Sequence, residues 1–150
     1  MNNIDVIMQH AEQHCENNGS RLTLKRKQVL SSLIKSGKAT SAYDIIDLCE
    51  QMFGEKIPAM SVYRILEFLE SLDLVHKLNL ANKYVACSQI GCDHVHGVPL
   101  LLVCDACNDV EEIKVNKKFT AEINNNVSKS KFKVVKPHLE IKCICSKCSA

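Results

Sequence analysis

Two short cysteine pairs constrain this chain more than any other feature: Cys104-Asp-Ala-Cys107 and Cys145-Ser-Lys-Cys148, separated by residues 108–144. A CxxC on a tight turn presents two thiolates to one ion, and two such turns complete the four-sulfur tetrahedron that suits zinc. The separation exceeds that of a compact zinc ribbon, so a shared ion has to tie the start of a folded unit to its end. A closed shell of this kind is structural, because no ligand position stays open for chemistry. The same residues admit two other readings, a pair of independent redox motifs or cysteines packed as small hydrophobes. A thioredoxin-type motif opens a helix after a strand, whereas Cys145 lies near a polar end of the sequence. Structural zinc is the expectation that fits best.

The cysteine count points the same way. There are nine, an odd number. The opening MNNIDVIMQHAEQH lacks the basic start and apolar core of a secretory signal. Cysteines in a reducing cytoplasm bind metal or act as redox thiols more often than they pair into a scaffold. The longest apolar run, VPLLLV, is far short of the roughly 18 residues of a membrane span. The chain is expected to be cytoplasmic, with no membrane partner. At 150 residues and 46% hydrophobic it can form one medium domain or two small ones. Small halves often need a metal or a partner to be stable. Net charge is only +2, so any nucleic-acid role must rest on a local patch.

The first half reads as helical. Ile4, Ile7, Met8, Ala11 and Cys15 share a helical face. A second helix is predicted from Thr23 as N-cap to Gly37 as stop, with Val29, Leu30, Leu33 and Ile34 buried. Ser41 opens a capping-box-like SAYD, and Ile45, Ile46, Cys49, Met52 and Phe53 form the next inner face. After Pro58, which a first turn tolerates, MSVYRILEFLESL turns Val62, Ile65, Leu66, Leu69 and Leu72 inward. Ser61, Tyr63, Arg64 and Glu67 are left nearer the other face. The β-rich segments LVHKL and KYVAC flank a turn, NLAN. Short helices followed by such a hairpin predict a winged helix-turn-helix, whose second helix, here residues 60–72, enters the DNA major groove. From about residue 90 the strand-like VPLLLVC, VEEIKV, KFKVV and HLEIKC surround a helix carrying Phe119, Ile123 and Val127, a small α+β domain.

Residues 76–97, HKLNLANKYVACSQIGCDHVHG, hold a second group of soft ligands. His76, Cys87, Cys92, His94 and His96, with the Glu111-Glu112 pair, are candidates. The hairpin sends His76 out on one strand and returns Cys87 on the other, and His94 and His96 point the same way on an extended chain. A mixed nitrogen, sulfur and oxygen shell suits zinc better than iron(II) or manganese. A plain reading stands beside it: solvated histidines, as expected of His10, His14 and His138, and surface carboxylates. For Cys15 and Cys49, on apolar helix faces, packing is the default.

RLTLKRKQVL, SAYDIIDL and SVYRILEFLESLDLVHKL resemble the DNA-binding domain of the ferric uptake regulator family, and CDACNDVEEI and LEIKCICSKC resemble its dimerisation domain. The likeness covers about residues 8–148. It implies an α+β chain with a winged helix-turn-helix DNA-binding domain at 1–88, a small α/β dimerisation and metal-binding domain at 89–150, and a hinge about 86–97. The HHHDH-like run of iron-sensing members is missing. Within the family the match is to zinc-sensing members, and it implies a regulatory zinc held by His76, Cys87, His96 and Glu112. The spacing from His96 to Cys104 is one residue longer than in that pattern, which leaves Cys92 and His94 as alternative ligands, with Glu111 beside Glu112. Cys143 stands where the family usually has Gly. The His that commonly precedes the last Leu-Glu is shifted, with Pro137 and His138 ahead of Leu139.

Arg21, Lys25, Arg26 and Lys27 cluster at the start of the second helix and suit phosphates, which position without specifying. Arg64 can read guanine through its fork, and Tyr63 can meet a thymine methyl or donate its hydroxyl, although a structural Tyr63 is the alternative. In the family resembled, these two positions contact the operator. Ser61 and the wing residue Lys77 extend the surface. Residues 1–80 carry no net positive charge, so tight binding calls for a homodimer on palindromic double-stranded DNA. The resemblance implies a zinc-dependent transcriptional repressor of zinc-uptake genes with two Zn2+ per chain, no enzymatic activity and no small-molecule substrate. A same-family sensor of iron, manganese or peroxide, or a thiol-disulfide enzyme, would represent the other classes.

Overall fold

The computed structural model describes residues 3–90 and 98–149. The chain divides into two compact units, Met1–Cys92 and Asp93–Ala150. Its fold class is the mixed α+β expected from the sequence. Among the described residues, no helix is long and apolar enough to cross a membrane.

The first unit runs α1 (Asn3–Asn17), α2 (Leu24–Ser36), α3 (Ala42–Phe53), α4 (Ala59–Ser71), β1 (Val75–Leu78) and β2 (Lys83–Ala86). Local chemistry fixes the helix ends. The Ser41 hydroxyl accepts the Asp44 N–H at 3.2 Å, satisfying one orphan donor of α3. Gly37 and Gly54 end α2 and α3 at φ 65 and 75, a left-handed turn that a side chain would strain. Thr23 and Pro58 stand at the N-caps of α2 and α4 without a capping side-chain bond. The inward stripes meet in one core, in which Val29, Leu30, Ile45, Val62, Leu66 and Leu69 are fully covered. Each such side chain contributes about 1.5–3 kcal/mol through its burial.

β1 and β2 pair antiparallel with His76 opposite Val85 and Lys77 opposite Tyr84. A third strand position completes this wing: Thr40, between α2 and α3, exchanges both backbone hydrogen bonds with Tyr84 at 2.9 Å. Two expectations are corrected. Phe53 is 39% exposed, because it is the last residue of α3 and Gly54 turns the chain away before it can reach the core. His14 is not a solvated histidine; its Nε2 lies 2.8 Å from the carbonyl of Leu72 and links α1 to the end of α4.

The second unit holds β3 (Pro99–Cys104), β4 (Val110–Lys114), α5 (Lys117–Lys129) and β5 (Leu139–Cys143), in the sheet order β4-β3-β5. β3 pairs antiparallel with β4 and parallel with β5. Its VPLLLVC run supplies the buried positions Val98, Leu100, Leu101, Val103 and Cys104. The Asn116 side chain caps α5 by accepting the Phe119 N–H at 2.8 Å. The predicted strand KFKVV does not form: Lys131 is in the left-handed region at φ 64, which breaks the extended run, and Phe132 and Val135 stay exposed.

Candidate metal centres and nucleic-acid interface

The four CxxC sulfurs converge at one end of the three-stranded sheet. After β3, the Cys104 N–H donates to Asp109 at 2.8 Å and the Asn108 N–H to Cys104 at 3.0 Å, with Asn108 in the left-handed region at φ 62. After β5, the N–H groups of Cys148 and Ser149 both donate to the Cys145 carbonyl at 3.0 Å. The Asp105 N–H donates to the Cys143 carbonyl at 2.9 Å and stitches the first turn to β5. The Sγ atoms of Cys104, Cys107, Cys145 and Cys148 all lie within 4.8 Å of one another, and those of Cys107 and Cys145 are 3.7 Å apart. Zinc–thiolate bonds of about 2.3 Å in a tetrahedron place sulfurs about 3.8 Å apart, so donor set and spacing both fit that ion.

The electrostatics of the cluster favour a cation. The backbone N–H of Cys145, 3.4 Å from the Cys104 sulfur, and those of Cys107 and Ala106 lower the Cys104 thiol to about 6. That sulfur is anionic at neutral pH. At Cys107 the Asp109 N–H pulls the other way, but sharing with Cys104, burial and the Cys145 sulfur push the thiol up. Cys148, crowded by Cys145, Cys107 and Cys104, is raised to about 12. Cys15 and Cys49 behave differently. Burial raises both thiols, and Cys49 lies 3.1 Å from the Ser32 hydroxyl inside the core. They are packing residues.

The hairpin brings His76 and Cys87 together. The Cys87 N–H donates to Leu74 at 2.9 Å, extending the ladder one residue past β2. His76, Val85 and Cys87 therefore share one face of the ribbon. A ring nitrogen of His76 and the sulfur of Cys87 lie within 4.8 Å of each other. Both residues are buried, at 6% and 4% exposure, which excludes the solvated-wing reading of His76. On β4, Glu112 is half-buried opposite Leu101, and Glu111 is exposed opposite Leu102. Cys92, His94 and His96 lie outside the described residues. His138 is bonded to Glu140 at 2.6 Å.

On α4, Tyr63 and Arg64 are exposed and Ser61 is half-buried; Lys77 is half-buried on β1. Of the basic cluster, Arg21 and Lys25 are exposed. Arg26 has internal duties: its guanidinium donates to the Arg21 carbonyl at 2.6 Å and stacks 3.6 Å from the centroid of the Phe68 ring. Lys27 is ion-paired with Glu12. Two large apolar side chains stand exposed beside these residues that the sequence reading did not single out. Tyr43 on α3 and Met60, one turn before Arg64 on α4, are 68% and 67% exposed. The signal was available, since Tyr43 lies off the Ile45-Ile46-Cys49 stripe and Met60 off the stripe of α4.

Residues 17–142 match the ferric uptake regulator family. This chain belongs to that family. Among its members, the zinc uptake regulation protein of Escherichia coli (strain K12) is 34% identical over 106 residues, which is 71% of this chain and 60% of that relative. The match thus spans about three-fifths of the length of the curated protein. A solved zinc uptake regulator complexed with zinc and DNA is 27% identical, with 99% of this chain and 97% of that one covered and a TM-score of 0.88. A crystal structure of holo XcZur is also 27% identical, covering 97% and 98% of the two chains, with a TM-score of 0.82.

Proposed function

We propose that this chain is a zinc-responsive transcriptional repressor of zinc-uptake genes, a cytoplasmic homodimer that binds palindromic operator DNA and has no catalytic activity of its own. The observation that carries the reading is the buried His76–Cys87 pair on the wing, an imidazole nitrogen and a cysteine sulfur within 4.8 Å of each other. A mixed donor set of that kind selects zinc over harder divalent ions. The relatives named above as zinc uptake regulators support the choice of metal, and the one complexed with DNA supports the choice of partner.

Two zinc ions per chain follow. Cys104, Cys107, Cys145 and Cys148 hold one, whose bonds join the ends of β3 and β5 and stabilise the dimerisation domain, residues 89–150. His76, Cys87, His96 and Glu112 hold the other, with Cys92, His94 and Glu111 as substitutes. The second set takes two ligands from the DNA-binding domain, residues 1–88, and two from beyond it. Filling it restricts the linker and so fixes the spacing of the two recognition helices of a dimer. DNA binding then loses less conformational freedom, a coupling typically of about 1–3 kcal/mol. Tyr63 and Arg64 read base edges, while Ser61, Lys77, Arg21, Lys25 and Arg26 lie along the phosphates or support the residues that do. α5 buries none of its residues, and Phe119 and Phe132 stand in solvent, an apolar surface suited to a second copy.

The test is operator binding by the intact protein during titration with buffered zinc, iron(II) and manganese. Zinc is expected to raise affinity at the lowest free concentration. Cys87→Ser is expected to keep the fold and the dimer but lose the zinc response; a normal response in that variant would refute the regulatory assignment. Tighter operator binding with iron(II) or manganese would refute the choice of metal.

A further inference from the structure

Cys143 belongs to neither ligand set, yet the sheet sets it beside one of them. It is the last residue of β5, as Cys104 is the last of β3, and the two are Cα partners in the parallel register. Neighbouring strands lie about 4.7–4.9 Å apart. That spacing falls inside the Cα window of a disulfide, about 4.4–6.8 Å. Partners in register project to the same face, and both sit at strand ends, where the backbone can adjust. The Asp105 N–H bond to the Cys143 carbonyl holds the two ends side by side. Cys104 is 3% exposed, whereas Cys143 is half-buried and its sulfur rests 3.6 Å from the Ile141 carbonyl on its own strand. The register thus sets a fifth cysteine beside the four-sulfur cluster but outside it, partly open to a small oxidant and with no place in the tetrahedral shell.

We propose that Cys143 is a redox-active thiol that couples peroxide to loss of metal from the four-cysteine centre by forming a disulfide with Cys104. The Cys143 thiolate attacks one oxygen of hydrogen peroxide; the O–O bond breaks, a sulfenic acid forms and hydroxide leaves as water after taking a proton. The Cys104 thiolate then attacks the Cys143 sulfur; the S–S bond forms, the S–O bond breaks and a second water departs. Two thiols are oxidised by two electrons, and one peroxide is reduced to two waters. Cys104 can no longer donate to a cation, and the three sulfurs left no longer close the shell. The inference rests on reading the four cysteines as a metal centre.

The experiment uses the full chain carrying Cys87→Ser, so that zinc retained through dialysis reports the four-cysteine centre alone. Hydrogen peroxide is added, zinc release is followed with a chromogenic chelator, and disulfides are mapped by mass spectrometry after the remaining thiols are blocked. A Cys104–Cys143 linkage forming in step with zinc release is expected, as is release about tenfold slower after Cys143→Ser or Cys143→Ala. Equal release rates with and without Cys143, or linkages confined to Cys104–Cys107 and Cys145–Cys148, overturn the proposal. If the untreated protein keeps no zinc through dialysis, the metal reading fails and the coupling with it. The linkage map still shows in that case whether Cys143 pairs with Cys104.

Discussion

Stripping the metal from the four-cysteine centre is expected to unfold residues 98–149 while residues 3–90 stay folded. Among the described residues of the second unit the buried apolar side chains are few: Val98, Leu100, Leu101 and Val103, with Cys104 itself. At about 1.5–3 kcal/mol each, the four aliphatic ones contribute about 6–12 kcal/mol. α5 adds no buried residue within the chain. Zinc on four thiolates contributes about 10–16 kcal/mol to folding in small zinc domains. The ion is thus comparable in worth to the apolar burial, and most natural domains are stable by only about 5–15 kcal/mol. The first unit has no such dependence, because its helices close a continuous core that includes Leu30, Leu33, Ile45, Leu66 and Leu69. Hydrogen exchange read by mass spectrometry, with and without a strong chelator, separates the two units peptide by peptide. Running it at two protein concentrations separates the contribution of dimer contacts. Loss of protection is expected across β3, β4 and β5 and not across α2 to α4. Unchanged protection of the three strands in protein shown to be free of zinc would refute the reasoning.

Two further outcomes are expected. Arg64→Ala leaves the melting temperature unchanged, since the side chain is exposed, and weakens operator binding about 5- to 150-fold, the equivalent of about 1–3 kcal/mol for one lost base contact; fluorescence anisotropy at fixed salt measures it. Leu66→Ala, at a position with 0% exposure between α4 and the rest of the first core, lowers stability by about 2–5 kcal/mol, read as a lower urea midpoint at unchanged slope.

Where the sequence carried strong local chemistry, the fold was legible in it. Ser41 with Asp44 and the glycines at 37 and 54 mark the ends of α3 and α2 through backbone needs that few other residues meet. The turn Asn79–Asn82 and the flanking alternation likewise place the hairpin, and the CxxC spacing places the four sulfurs. The misses share a cause, which is tertiary context. KFKVV has strand composition, but Lys131 turns into the left-handed region and Phe132 and Val135 find nothing to pack against, so composition alone does not make a strand. Thr40 has no strand signal of its own and becomes one by pairing with Tyr84. His14 looked like a surface histidine until the end of α4 came within 2.8 Å. Arg26 reads as a phosphate ligand in a run of basic residues, and only the stacking on Phe68 reveals that it braces α2 against α4.

The sheet order also sets a timetable for synthesis. β3 can pair with β4 once residue 114 has emerged from the ribosome, but its other edge takes a partner only when residues 139–143 emerge. Through that interval the most apolar strand of the chain offers an open edge, and the first CxxC has two of the four sulfurs it needs. Pairings so distant in sequence form slowly, and open edges recruit other chains. The interval between the emergence of residue 114 and that of residue 139 is therefore the stage at which aggregation competes with folding, and lengthening it is expected to reduce yield without altering the finished structure.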